Sequence, residues 1–349
     1  MEGKKETPDM LDLVIRPGFY VKENEIVQLN AAAKGLLLST GMDIRPLIQS
    51  GLEEYQTFAG GCLYLTLRLS QTEVGACVTR ADGRDIFVLE SEESDGALQA
   101  LALAARELRE PLSAVMVCSG SLKSDDPQTA ALLNRSLHQM LRLIGNMSDA
   151  GRVCPASRQE TTDMNAVFSE TVEKAAALAV SAGVTITYQG LEKPLACLAD
   201  REQLERAVLN LISNALKFTR AGGTVTTRLT RCGKMLRFSV SDNGSGIPQN
   251  LLGSVFSRYL RQPCIEDGRF GLGLGMVLVR SAAASHGGAV LIDQPDGAGV
   301  RVTLTMAIQQ DTTGTLRSPV MRVDYAGEQD HALVELSDCL PASLYNKET

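Results

Sequence analysis

Asn210 and Asn214 stand four residues apart in L-N-L-I-S-N-A-L-K-F-T (Leu209 to Thr219), and Lys217 follows. On a helix, residues at that spacing share a face. An asparagine carbonyl can ligate magnesium among phosphates, where the metal takes only one or two protein oxygens, and it adds no negative charge beside the phosphates. Downstream, Asp242 opens D-N-G-S-G-I-P (Asp242 to Pro248) after the strand-like M-L-R-F-S-V-S. A carboxylate at a strand end can accept a hydrogen bond from a purine amino group, and Gly244 and Gly246 allow backbone to approach a base closely. Third comes G-L-G-L-G (Gly271 to Gly275), leading into a helical pattern. Backbone N–H groups of a glycine-rich loop at a helix start form an anion site. In this order, the three elements describe an ATP-binding α/β sandwich.

These residues resemble the N, G1 and G2 boxes of the sensor histidine kinase family. The resemblance implies ATP with Mg2+ as cofactors. It makes Asn214 the magnesium ligand, places Asn210 beside the phosphates and gives Lys217 to the phosphate tail. It assigns adenine to Asp242, with Gly244 and Gly246 shaping the pocket. Phe218, Gly271, Leu272, Gly273, Leu274 and Gly275 complete the nucleotide set, the two leucines also serving the core. V-F-S-R-Y-L-R (Val255 to Arg261) is similar to the family's F box, with Phe256 as its anchor, and Q-P-C-I-E-D-G-R-F would form a lid. His286, in H-G-G, is expected to be structural.

One departure bears on mechanism. The family's acceptor motif reads roughly His-Glu-Leu-Arg-Thr-Pro-Leu, and this chain has A-R-E-L-R-E-P-L, from Ala105 to Leu112. The resemblance gives catalytic positions to Glu107 and Asn210, and it puts Arg106 in the acceptor slot and Glu110 in the threonine slot. A neutral imidazole nitrogen can attack a phosphoryl group. A guanidinium stays protonated and has no lone pair to offer. Three readings stand: a degenerate kinase that binds ATP and signals through conformation or a partner kinase; an active kinase using another acceptor such as His138; or a non-enzymatic, nucleotide-gated interaction module.

The elements that must position these groups form an α+β multidomain chain. Residues 12–92 read as a PAS-like α/β sensor domain. Two strands meet at a turn over Lys22 to Asn24, A-A-A-K-G-L-L gives a short helix, L-Y-L-T-L-R-L alternates as a strand, and A-D-G closes a further hairpin. In residues 93–150 the period becomes helical. Leu98, Leu101, Ala105, Leu108, Leu112 and Val115 form one stripe, and Leu133, Leu137, Met140, Ile144 and Met147 a second. Asp126 and Pro127 start the second helix. Such a two-helix hairpin buries its stripes by pairing into a four-helix bundle, which predicts a homodimer. Residues 155–308 form the histidine kinase-like ATPase domain, of the Bergerat type, with Asp163 capping its first helix. Residues 309–349 are an extension of unknown role, with strand-like V-M-R-V-D-Y and H-A-L-V-E-L.

Composition narrows the partners. The 349 residues are 44% hydrophobic and 21% charged, with a net charge of −7, which fits a globular protein with a real core. An acidic chain without a basic cluster is a poor nucleic-acid binder. No apolar run reaches the roughly 18 residues of a membrane span, and the N-terminus has no signal-peptide core, so a cytoplasmic protein is expected. A response regulator partner is implied by the family alone. The eight cysteines and three histidines show no metal-ligand spacing.

Overall fold

The computed structural model describes residues 15–81, 83–90, 93–121, 126–150, 159–248, 274–295, 299–309 and 330–346. The expected F box, the lid and V-M-R-V-D-Y lie outside these residues.

The N-terminal part is a set of antiparallel strands: β1 (Gly18–Lys22), β2 (Glu25–Leu29), β3 (Ile48–Ser50), β4 (Cys62–Leu69), β5 (Thr72–Ala81) and β6 (Arg84–Leu89). The first hairpin turns on Glu23 and Asn24, both at positive φ, the backbone that a two-residue turn between twisted strands requires. A-A-A-K-G-L-L gives only one 3-10 turn, Ala33–Gly35, its start held by Asn30, whose Oδ1 accepts the Ala33 N–H at 2.9 Å. A short helix, α1 (Leu52–Gln56), was not evident in the sequence. Phe19 and Phe87 stack at 5.0 Å in a core of their own with Ile26, Leu63, Leu65 and Val78.

Two long helices follow, α2 (Glu93–Ser121), with Pro111 inside it, and α3 (Pro127–Ala150). Asp126 caps α3, accepting the Gln128 N–H at 3.0 Å. The predicted stripes divide. Ala105, Leu112, Leu137 and Ile144 pack together, joined by Leu141 from outside the stripes. Leu108, Val115, Leu133 and Met140 are each between 42% and 50% exposed.

The remaining strands and helices form the third part: β7 (Glu160–Asp163), α4 (Met164–Ala179), β8 (Thr185–Gln189), β9 (Ala196–Ala199), α5 (Arg201–Phe218), β10 (Thr224–Cys232), β11 (Met235–Asp242), α6 (Gly275–Ser285), β12 (Val290–Asp293) and β13 (Arg301–Ala307). Asp163 caps α4 and Asp200 caps α5 through backbone N–H groups. Helices α4, α5 and α6 lie on the sheet, with Phe168 and Phe238 4.6 Å apart at the centre of the core.

The two sheets are joined. Strand β12 pairs with β13 on one side and with β4 on the other, matching Val290 to Tyr64 and Ile292 to Cys62. Among the described residues, one eleven-stranded sheet results, in the order β2-β1-β6-β5-β4-β12-β13-β11-β10-β8, with β3 also on β4. Gly61 makes the approach possible. At φ 91°, a Cβ there would lie 2.2 Å from the Ile292 carbonyl oxygen. Across β4 and β5, Cys62 sits diagonally beside Cys77, with Sγ atoms 2.9 Å apart, a pair that the sequence spacing conceals.

The C-terminal segment corrects an expectation. H-A-L-V-E-L is not a strand but begins with a short helix, α7 (His331–Glu335), capped by Asp330 through the Ala332 and Leu333 N–H groups. A 3-10 turn at Ala342–Tyr345 ends the described chain. This segment packs between α3 and α5. Val334 enters the α2–α3 cluster, and Leu336, Leu340 and Tyr345 enter the core of the third part.

Candidate functional site

Helix α5 is buried on nearly every side. Its apolar face (Leu204, Val208, Leu211, Ile212, Ala215) meets the core. A second face repeats at the same helical spacing and is polar: Arg206, Asn210, Ser213 and Lys217. Buried polar groups need partners, and these have them. Asn210, 1% exposed, donates from Nδ2 to the Arg206 carbonyl at 2.9 Å and lies 3.4 Å from Glu335 Oε2. Arg206 reaches Glu335 Oε1 at 3.3 Å and Asn146 Oδ1 at 2.9 Å, and pairs with Asp149. Lys217 Nζ donates to Asp338 Oδ2 at 2.9 Å.

The three predicted motifs meet on this helix. Helix α6 begins at Gly275, where a Cβ would stand 2.7 Å from Asn210 Oδ1. Only glycine lets the start of α6 and the asparagine helix come so close. Leu274, just before it, is buried with Leu98, Ala150 and Val277, while Gly271, Leu272 and Gly273 lie outside the described residues. Asn214 is half-buried, and its Nδ2 donates to Met276 Sδ of α6 at 3.5 Å. At the other end of α5, the loop after β11 folds back on Phe218. A Cβ on Gly244 would lie 2.4 Å from the Phe218 carbonyl oxygen. Phe218 itself is 41% exposed.

Asp242 ends β11 with its backbone N–H on the Val300 carbonyl at 2.9 Å. Its Oδ1 accepts the Gly244 N–H at 2.9 Å and the Val300 N–H at 3.2 Å. Burial raises its carboxyl above the ordinary aspartate value, and the two backbone N–H groups oppose that rise. Asn243 fixes the same loop to β10 by accepting the Thr224 N–H at 3.0 Å. Gly246 follows at φ 74°.

His286 is buried and held on both ring nitrogens. It is 3% exposed, its Nδ1 lies 2.7 Å from the Ala282 carbonyl oxygen, and its Nε2 accepts the Asp200 N–H at 3.1 Å. Those partners fix the neutral Nδ1–H tautomer, and burial depresses its pKa.

Away from the pocket, Arg106 and Glu107 are exposed neighbours on α2, 80% each by side chain, 3.7 Å apart. His138 on α3 sits 2.8 Å from the Asn134 carbonyl oxygen and edge-on to the Tyr345 ring at 4.9 Å.

Sequence reasoning missed Arg206 of the polar face and three residues that meet the face from outside: Arg142, Glu335 and Asp338. Arg206 carried a signal, since it lies four residues before Asn210 on the same face. The others come from α3 and the C-terminal segment, and no local pattern points to them. Also missed was Arg280 of α6, 3% exposed, whose guanidinium lies 4.5 Å from the Tyr64 ring centroid and 2.6 Å from Glu90 Oε1.

Residues 199–310 match the family described as "Histidine kinase-, DNA gyrase B-, and HSP90-like ATPase". The histidine protein kinase DivJ of Caulobacter vibrioides is 34% identical over 229 residues, which cover 61% of this chain and 38% of DivJ. The adaptive-response sensory kinase SasA of Crocosphaera subtropica is 29% identical over 226 residues, covering 60% of this chain and 59% of SasA. The chain thus spans about two fifths to three fifths of these relatives' length. The crystal structure of full-length ShkA in complex with AMPPNP shares the fold with a TM-score of 0.50 at 23% identity, over 60% of this chain and 46% of ShkA. Among the described residues, no helix is long and apolar enough to cross a membrane. Residues 199–310 therefore resemble ATPase domains of the histidine kinase, DNA gyrase B and HSP90 type, and the chain is similar over three fifths of its length to histidine kinases.

Proposed function

We propose that the chain is an ATP-binding, histidine kinase-like signalling protein that does not phosphorylate itself at the usual position. The observation that carries this reading is the meeting of three motifs on α5, with Asn210 against Gly275 at one point and Phe218 against Gly244 at another. In this reading Asp242 receives the adenine amino group, its Oδ1 held in place by two backbone N–H groups. Asn210 and Lys217 face the phosphates. Asn214 turns its Nδ2 to Met276, so its carbonyl oxygen is the atom suited to magnesium. The donor set fits the cofactor: neutral amide oxygens and one cation beside phosphates, one carboxylate for the base. Bound ATP would supply a transferable phosphoryl group. The residues on this chain bind and orient it.

Arg106 stands in the acceptor slot of the resemblance. It is exposed and protonated, and it cannot act as the nucleophile. The α2–α3 hairpin leaves Leu108, Val115, Leu133 and Met140 exposed, and a second copy of the same hairpin would cover them. The N-terminal strands would serve as a PAS-like sensor, and a response regulator or partner kinase would read the state of the dimer.

The test is incubation with γ-labelled ATP alongside calorimetry. Nucleotide should bind with no acid-labile label on the protein. Asn214→Ala should weaken magnesium-dependent affinity by about ten-fold, the cost of one good ligand. Acid-labile label on the wild type would overturn the degenerate reading, and no heat of binding would overturn the nucleotide reading itself. Arg106→His then asks whether the remaining machinery can still transfer phosphate.

A further inference from the structure

We infer that residues 330–346 are a built-in competitor for the phosphate end of the nucleotide site. The inference rests on the nucleotide reading above and adds a means of regulation. The segment lays two carboxylates along the polar face of α5. Glu335, fully buried, faces Arg206 and Asn210 from that helix and Arg142 from α3, the last at 3.1 Å. Three residues on, Asp338 Oδ2 lies 2.9 Å from Lys217 Nζ and 2.5 Å from Arg142 Nη1.

Asn210 and Lys217 are the groups to which the reading assigns phosphates, and here carboxylate oxygens occupy them. Anionic phosphate oxygens arriving at Lys217 meet a like charge already paired with it, and in a low-dielectric cleft such juxtaposition is costly. Nucleotide and Asp338 therefore exclude each other at this lysine.

Its helix has only five residues. Leu336 and Leu340 pack in the core that α5 shares, and beside them the segment meets α5 through charged and polar contacts. Cys339 Sγ completes these 3.6 Å from Ser213 Oγ. On the other side, Arg135 donates to the Ser337 carbonyl at 3.0 Å and Asn134 to the Tyr345 carbonyl at 3.0 Å. One short stretch thus holds α3 to α5 while masking the lysine. Whatever draws it away frees both.

The experiment uses the full chain and Mg-ATP, read by calorimetry. Asp338→Asn keeps the shape and removes the charge, and it should bind about ten-fold more tightly than wild type, the effect of losing one charged hydrogen bond. Ser213→Cys sets a thiol against Cys339. Oxidised with glutathione disulfide, this variant should lose nucleotide binding and regain it on reduction, while wild type treated in the same way should not change. Equal, measurable affinity in all forms would overturn the competitor and leave the site standing. No binding by any form, Asp338→Asn included, would overturn the nucleotide reading and the competitor with it.

Discussion

The ATPase-like part meets the rest of the chain at two seams made in opposite ways. Toward the N-terminal strands, the seam is backbone: β12 and β4 share a ladder, Ala289 enters the N-terminal core, and Cys62 and Tyr64 enter the ATPase core. A ladder between buried strands has no partial form, since opening it strands N–H and C=O groups in apolar surroundings. Toward α3 and the C-terminal segment, the seam sets buried charge beside the apolar packing of Val334, Leu336 and Leu340. Buried ion pairs add little net stability, because desolvation offsets the attraction, yet removing one partner is severe. The first seam suits a permanent joint. The second suits one whose occupancy is set by competing ions.

The sharpest way to break this contrast is Gly61→Ala. It sets a Cβ against the Ile292 carbonyl and forces alanine to φ 91°, which together should cost about 3 kcal/mol. Because the ladder is continuous, thermal melting should show the N-terminal strands and the ATPase core losing stability together. If the N-terminal strands melt alone and the core is untouched, the single-sheet joint is wrong.

Glu335→Ala should act differently. It leaves Arg142 and Arg206 without their shared acceptor, a loss of about 3 kcal/mol or more at the site. A local unit can open by itself, so the loss should appear as faster amide exchange over residues 331–345 with little change in the melting of the sheet. A global fall in melting temperature matching that of Gly61→Ala would make the two seams alike.

Asp242→Asn probes the site between them. The amide can still accept the two backbone N–H groups through its oxygen, but its remaining atom becomes a donor where the proposed adenine contact requires an acceptor. ATP affinity should fall by about ten-fold or more while the melting temperature barely moves. Unchanged affinity would remove Asp242 from the base site.

The pattern of what was readable follows the same division. Asn210, Asn214, Lys217, Asp242 and Gly275 stood out because their types recur at short, fixed spacings, and the structure sets Asn210 against Gly275 and Asn214 against Met276. The period of α2 and α3 was legible too, although only the structure separates Ala105 and Leu112, which pack within the chain, from Leu108 and Val115, which stay exposed. H-A-L-V-E-L misled because a short apolar run fits a strand or a buried helix equally well, and the Asp330 cap decided it. The β4–β12 pairing and the reach of Arg142 to Glu335 and Asp338 had no sequence signature. Both join residues almost two hundred or more positions apart, and register at that distance is set by global packing.

His286 gives the smallest effect and the subtlest contrast, since its joint forbids the charge that the Glu335 joint needs. Its Nε2 lone pair accepts the N–H of Asp200, the residue that caps α5. A proton on Nε2 would turn that acceptor into a second donor facing a donor. Burial accordingly depresses the folded-state pKa below the ordinary value. The unfolded chain then binds a proton that the folded chain refuses, so the group favours folding above about pH 6.5 and loses stability as pH falls below it. Melting temperature should drop between about pH 7.5 and about pH 5.5, and His286→Gln, which cannot titrate, should show a shallower drop. Parallel profiles for the two proteins would mean that the α5 cap does not depend on a neutral imidazole.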